Sequence, residues 1–168
     1  MSEPILELRP MIERDLDGLW EAFSEVIEEG TSYVQDEHTT RDAFAEYWLA
    51  RGGEQWGAAA DGRVAGAYTL RANHVGRGSH VATASYVVAR SARGQRLGRR
   101  MGEHSIGRAR ALGFRAIQFN LVVSSNAPAV ALWGALGFEI VGTLPGAFRD
   151  RIRGFVDAHV MYLKLDQG

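Results

Sequence analysis

The side-chain pattern changes period at one place, and that place constrains the fold more than any other. Tyr86-Val87-Val88-Ala89 ends a strand-like run, while Leu97, Met101, Ser105, Ala109 and Leu112 lie on one helical stripe. A strand must therefore become a helix across Arg90-Ser91-Ala92-Arg93-Gly94-Gln95-Arg96. A helix N-terminus presents unpaired N–H groups and roughly half a positive charge, which favours an anion. Gly94 and Gly98 are expected to let the backbone approach a ligand where a Cβ would collide. Arg93, Arg96, Arg99 and Arg100 add fork-shaped donors suited to phosphate oxygens. The combination suits a pyrophosphate; the alternative is a glycine-eased turn whose arginines only solvate it. Two familiar phosphate loops do not fit. The P-loop requires a lysine that is missing here, and Gly94-x-x-x-Gly98 lacks the spacing of the dinucleotide fingerprint.

Elsewhere the pattern yields Ile5–Arg9 as a strand, then an amphipathic helix over Glu13–Ile27 with acids in its first turn. Thr40–Leu49 reads as a second helix, stopped by Gly52-Gly53. Gln55–Ala60 and Arg63–Leu70 flank Asp61-Gly62, a strong hairpin signal. His80–Ala89 is a strand, and so is Ala116–Val123, with Ile117, Phe119 and Leu121 expected on one side and Gln118, Asn120 and Val122 on the other. Asn126 caps a helix with Pro128 in its first turn, and Gly137 ends it. Phe138–Leu144 and Phe155–Leu165 close the chain as strands around a Gly146–Gly154 loop. The order β-α-α-β-β-β-α-β-α-β-β predicts an α+β domain with a mixed sheet, parallel only where β-α-β crossovers fall.

The chain of 168 residues fits a single domain, 1–168, and lacks cysteine, which excludes a thiol nucleophile and Cys-ligated metals. His74, His80 and His104 form no ligand pattern, so no metal is expected. A net charge of −1 argues against nucleic-acid or membrane binding. The start shows no basic n-region and no run long enough to span a bilayer, which predicts a cytoplasmic protein. Charge is nonetheless segregated: Glu13–Glu46 holds eleven acids and two arginines, whereas Arg90–Arg115 holds eight arginines and one acid.

Arg93-Gly94-Gln95-Arg96-Leu97-Gly98 resembles the acyl-CoA pyrophosphate loop of the GCN5-related N-acetyltransferases, Gln/Arg-x-x-Gly-x-Gly/Ala after an apolar strand. About 30 residues on, Leu121–Asn126 followed by Ala129–Phe138 is similar to the family's strand, Asn, helix and Gly-Phe segment. The resemblance implies a mixed sheet of six to seven strands flanked by four helices, with acetyl-CoA as co-substrate. It implies that Val87 and Val88 pair with the pantetheine through their backbone, that Arg93, Gly94, Gln95, Arg96, Leu97, Gly98 and Arg99 hold the diphosphate, and that Asn126 and Trp133 contact the coenzyme. Two departures stand out. Arg96 replaces a glycine and is expected to keep φ negative, since a positive value costs around 1 kcal/mol or more. Trp133 stands where many members carry a tyrosine that protonates the departing thiolate, a task an indole N–H cannot perform.

Phe119–Asn126 with Gly142–Phe148 is similar to a branch that includes fungal acetyltransferases of proline analogues such as azetidine-2-carboxylate. In that branch an Asn at the Asn120 position holds the substrate carboxylate, and an Asn aligned with Thr83 also contacts substrate. Asn120, expected to be buried, is satisfied either by neighbouring backbone or by substrate. Glu29, Tyr33, Asp36 and Tyr86 are the candidates for removing the amine's proton, and Glu29 and Tyr33 fall in the connection that forms one acceptor wall in this family. Catalysis is thus expected at Asn120, Tyr86 and Glu29, with Glu29, Tyr33, Thr83 and Asn120 binding a small amine, an amino or imino acid, by direct transfer in a ternary complex. The expected assembly is a homodimer through the C-terminal strands. The rival readings are a non-catalytic acyl-CoA sensor and a protein or peptide acetyltransferase.

Overall fold

Asp61 and Gly62 have φ of 50° and 77°, the left-handed pair that a two-residue hairpin turn requires. They join β2 (Glu54–Ala60) to β3 (Arg63–Ala72), as the Asp-Gly signal predicts. The computed structural model describes residues 6–166. The other strands are β1 (Glu7–Pro10), β4 (Val81–Val88), β5 (Ala116–Val123), β6 (Glu139–Asp150) and β7 (Gly154–Lys164). They form one sheet in the order β1-β2-β3-β4-β5-β7-β6. Among the described residues only the β4–β5 pair is parallel; the remaining neighbours run antiparallel. Four helices cover it: α1 (Asp15–Glu29), α2 (Arg41–Ala45), α3 (Leu97–Ala111) and α4 (Ala127–Ala135). This is the mixed α+β architecture expected from the sequence. None of the described helices is long and apolar enough to cross a membrane.

Strand alternation sorts the core into two layers. On one side, Ala67 and Val87 meet Leu19, Phe23 and Ile27 of α1, Phe44 of α2 and the buried Trp48. On the other, Tyr68, Leu70, Ile117 and Phe119 meet Leu97 and Met101 of α3 and Trp133 of α4. Each large side chain so buried contributes roughly 1.5–3 kcal/mol. α3 and α4 approach closely at Gly102, where a Cβ would stand 2.6 Å from Leu136 Cδ1 and 3.1 Å from Trp133 Cζ3. At the start of α1, Asp15 is buried and accepts a two-point ion pair from Arg9 (2.7 and 2.9 Å), tying the helix to β1.

Several boundaries differ from the sequence pattern. Of the expected Ile5–Arg9 strand, Ile5 lies outside the described residues, and the strand continues to Pro10 on the sheet edge, where no ladder donor is needed. The expected second helix is divided: Thr40 caps α2 by accepting from Ala43 N, and the chain continues as a π-helical turn over Glu46–Ala50. Leu112, counted on the α3 stripe, is 46% exposed because the helix has ended there. A bulge between Phe119 and Val122 breaks the β5 alternation, so Val122 rather than Leu121 joins Ile117 and Phe119 in the core. The supposed Gly146–Gly154 loop is mostly strand, β6 reaching Asp150 past an irregularity between Leu144 and Phe148.

Candidate active site

The parallel pairing of β4 and β5 is confined to Val81↔Ala116 and Ala82↔Ile117, after which the strands part. Against β3, Ala89 N donates to Ala65 O (2.8 Å) and Val81 O accepts from Asn73 N (2.8 Å). Antiparallel alternation between these two fixed points turns the amides and carbonyls of Thr83, Ser85 and Val87 toward β3. Those of Ala84, Tyr86 and Val88 turn toward β5, which has moved away. An open strand edge therefore lies inside the sheet. Its Tyr86 carbonyl accepts a 2.6 Å hydrogen bond from the Tyr33 hydroxyl. Val88 faces this gap, whereas the backbone of Val87 is committed to β3, which corrects the expectation that both serve a ligand.

The edge leads to the turn before α3. A 3-10 turn over Arg90–Ala92 precedes Gly94 at φ 80°, and Arg96 caps the helix at φ 59°, ψ 15°. The expected negative φ at Arg96 is wrong: entry from this turn into α3 demands the left-handed conformation, at a cost of roughly 1–2 kcal/mol for a residue with a Cβ. Helix bonding starts with Arg100 N to Arg96 O, so the first-turn N–H groups of Leu97, Gly98 and Arg99 have no intrahelical acceptor. At Gly98 a Cβ would meet Leu132 Cδ2 of α4 at 3.4 Å, an ordinary van der Waals contact. Leu97 is buried beneath the turn. Gln95 donates to Ser91 O (3.4 Å), Arg99 pairs with Glu103 (2.8 Å), and Arg100 donates to Leu6 O (2.9 Å).

Tyr86 and Trp133 lie behind the gap. The Tyr86 hydroxyl is 2.7 Å from Ser105 Oγ, on the α3 side, and its ring meets those of Trp133 (4.7 Å) and Phe119 (5.9 Å). Burial raises the pKa of this phenol far beyond neutrality, although the Ser105 hydrogen bond lowers it in part. Its hydroxyl thus points away from α1 and α2, and the structure does not bring it to the side where Tyr33 stands. Asn126 caps α4, accepting from Ala129 N at 3.4 Å.

In front of β4, Tyr47 Oη lies 2.7 Å from Ser85 Oγ, beside the buried Thr83. The Arg51 and Arg71 guanidiniums stand 4.8 and 5.7 Å from the Tyr47 ring. Tyr33 is kept protonated: burial first, then the Tyr47 and Tyr86 phenols, push its pKa well up. Asn120 is exposed, contrary to expectation. It exchanges amide hydrogen bonds with Asn73 (2.7 and 3.2 Å) and accepts from Gln118 Nε2 (2.9 Å). Tyr47, Ser85, Arg71 and Asn73 were not singled out from the sequence. Period-two reading of β4 puts Ser85 with Thr83, but Tyr47 looks like ordinary helix core, and nothing local marks Arg71.

Glu29 is occupied. Its carboxylate accepts from both terminal nitrogens of Arg93 (2.9 and 3.0 Å) and from Arg90 Nε and Nη2 (3.2 and 3.1 Å). Partial burial pushes its pKa up, yet the hydrogen bonds and charges of Arg93 and Arg90 outweigh this and leave it below the usual carboxylate range. Next to it, Arg151 N donates to Gly30 O (3.0 Å) and the Arg151 guanidinium to Glu28 O, clasping the β6–β7 turn onto the end of α1. An open cleft of about 560 Å³ lies there, lined by Glu28, Glu29, Thr31, Arg151 and Ile152. Among the described residues no three potential ligand side chains gather as a metal site.

The match to known proteins agrees with this geometry. N-acetyltransferase aca1 of Schizosaccharomyces pombe is 32% identical over 96 residues, 56% of this chain and 46% of that protein. The chain thus spans about half the length of the curated relative it matches. A GCN5-related N-acetyltransferase from Kribbella flavida shares 38% identity over 95% of this chain and 98% of its own, with a TM-score of 0.91. A phosphinothricin acetyltransferase from Sinorhizobium meliloti, solved in complex with AcCoA, has the same fold (TM-score 0.86, 23% identity, 97% of this chain and 90% of that one). Residues 18–138, well over half of the sequence, match the acetyltransferase (GNAT) family, and the chain belongs to it.

Proposed function

We propose that the protein is an acetyl-CoA-dependent N-acetyltransferase of small amines, with an amino or imino acid as the acceptor. The observation that carries this reading is the continuous track from the open β4 edge at Tyr86 and Val88 to the unpaired first-turn amides of α3. An extended pantetheine arm suits such an edge as an added strand would, and a diphosphate suits the helix end. Acetyl-CoA would present the thioester carbon that the neutral amine attacks directly: the C–N bond forms, the C–S bond breaks, coenzyme A departs as its thiolate, and the proton lost by the amine passes to water and from there to the thiolate. Gly94 and Arg96 shape the turn for the diphosphate, Leu97 anchors it from below, and Gln95 and Arg99 border it. Asn126 sets the start of α4, and Trp133 walls the gap.

On the acceptor side, Arg71 and Thr83 offer a cation and a hydroxyl for a carboxylate, and Asn120 presents its amide from β5. Such a set favours an acceptor that carries its own carboxylate, including proline analogues and phosphinothricin-like amino acids. Proton removal falls to water, since Tyr33 and Tyr86 are held protonated, Glu29 is taken up by Arg90 and Arg93, and Asp36 accepts from His38 N in the connection after α1. The exposed apolar side chains of the C-terminal hairpin, Ile140, Val141, Leu144 and Phe155, are the contact proposed for a second copy; light scattering reads this, with Phe155→Asp expected to yield monomers. An amine-panel screen that follows free thiol tests the activity. Acetyl-CoA binding without thiol release on any amine supports the sensor instead, and release only with peptides supports a peptide acetyltransferase. Loss of turnover in Asn120→Ala supports the substrate role of Asn120, and full activity overturns it.

A further inference from the structure

The coenzyme loop already contains an anion. Arg93 spends both ends of its fork on Glu29, and Arg90 adds its side-on donors to the same carboxylate. This is the two-point geometry with which a guanidinium grips a phosphate. The Glu29 side chain is 25% exposed, less than Arg90 (57%) or Arg93 (43%), so the carboxylate forms the inner side of the cluster. On its other side it lines the cleft at the end of α1, where Gly30 and Arg151 close the β6–β7 turn onto the helix. One side chain therefore borders both the turn before α3 and the cleft at the end of α1.

Resting on the coenzyme reading above, we propose that Glu29 is a positioning residue with two successive partners. It holds Arg90 and Arg93 until the coenzyme diphosphate takes them, and the released carboxylate then attracts a cationic acceptor amine into the cleft. A carboxylate and a diphosphate compete for the same guanidinium fork, and once the phosphate is seated, like-charge repulsion drives the carboxylate toward the cleft. The coupling is reciprocal: whatever coenzyme adds to amine affinity, amine adds to coenzyme affinity.

Calorimetry with CoA tests this. Glu29→Gln, which removes the internal competitor, is expected to bind CoA roughly 5-fold more tightly than the unmodified chain, within the range typical of coupled sites. Glu25→Gln, whose carboxylate meets the backbone N–H of Arg90 and not its side chain, is the control and should change affinity less than about 2-fold. In turnover with the best amine, Glu29→Gln should lower KM for acetyl-CoA and raise KM for the amine. A merely structural loss moves both the same way, which overturns the proposal. Unchanged or weaker CoA binding in Glu29→Gln, with the unmodified chain still binding, overturns this inference alone. No CoA binding by the unmodified chain overturns the coenzyme reading with it. Carboxyl-carbon NMR on the unmodified chain reads the same event without a variant: the Glu29 pKa should rise toward its ordinary value when CoA is added, and one that stays low overturns the proposal.

Discussion

Apolar layers pack against both sides of β4, but around the gap the two sides are held by different contacts. Toward α3 and α4, Tyr86 and Val88 rest on rings and aliphatic side chains, with Trp133 against Tyr86 and Phe119 at 4.7 Å each and Gly102 pressed under Leu136. Toward α1 and α2, the contacts around the gap are polar and singular: Tyr33 on the Tyr86 carbonyl, Tyr47 on Ser85, Arg151 on Gly30 and Glu29 on two arginines. Apolar packing loses energy with any displacement, because no solvent contact replaces it. A hydrogen bond exchanges for water or ligand at a net change of only about 1 kcal/mol. The back wall thus fixes the strand, while the polar contacts at the front of the gap are free to change partners.

Breaking the back wall should have the largest effect. Trp133→Ala is expected to cost about 3–5 kcal/mol in urea unfolding, since several rings lose a shared neighbour; a loss under about 1 kcal/mol means this wall is not rigid. On the α1 side, Arg9 pairs with the buried Asp15, and Asp15→Ala should cost about 2 kcal/mol through its lost charge-assisted hydrogen bonds. The hydrogen bonds from Arg9 hold the Asp15 pKa below the usual value despite its burial. Its contribution is therefore full above the unfolded carboxyl pKa of about 3.9 and fades as pH falls through the lower folded value. Acid titration of Asp15→Ala should show a shallower stability loss below about pH 4 than the unmodified chain. An equal slope refutes that assignment.

Smaller changes sharpen the contrast. Tyr33→Phe removes the hydroxyl from the Tyr86 carbonyl, and water should replace it, so the loss is about 1 kcal/mol, or roughly 2–4 °C in melting temperature. A drop as large as that of Trp133→Ala makes the two walls equivalent. Arg96→Gly relieves the left-handed strain but loosens the unfolded chain, leaving a net gain of about 0.5 kcal/mol. A net loss in the same melting experiment places an unrecognised contact on the Arg96 side chain.

Local patterns made much of this legible. The Asp61-Gly62 turn, the Asn126 cap and the strand-to-helix change at Arg90–Arg96 each rest on the chemistry of a few adjacent residues. Long-range partners were not legible. Glu29 reads as a solvated helix end until Arg90 and Arg93, 61 and 64 residues later, are folded against it. Asn120 reads as buried but lies exposed, held by Asn73 from 47 residues earlier, and the Phe119–Val122 bulge reverses the sides assigned to Leu121 and Val122. Arg96 is a case where neighbouring structure overrides intrinsic preference, because its φ is set by how the turn must enter α3.

By itself, then, the order of residues determined most of the element types, the mixed sheet they imply and the turn suited to an anion. Period, caps and turn residues act over one or two helical turns, and these suffice for that. The tertiary structure alone decided which backbone groups of β4 are left unpaired, which way Tyr86 points, and which carboxylate meets the arginines. Each of those depends on where a distant segment comes to rest, and no local preference encodes such a distance.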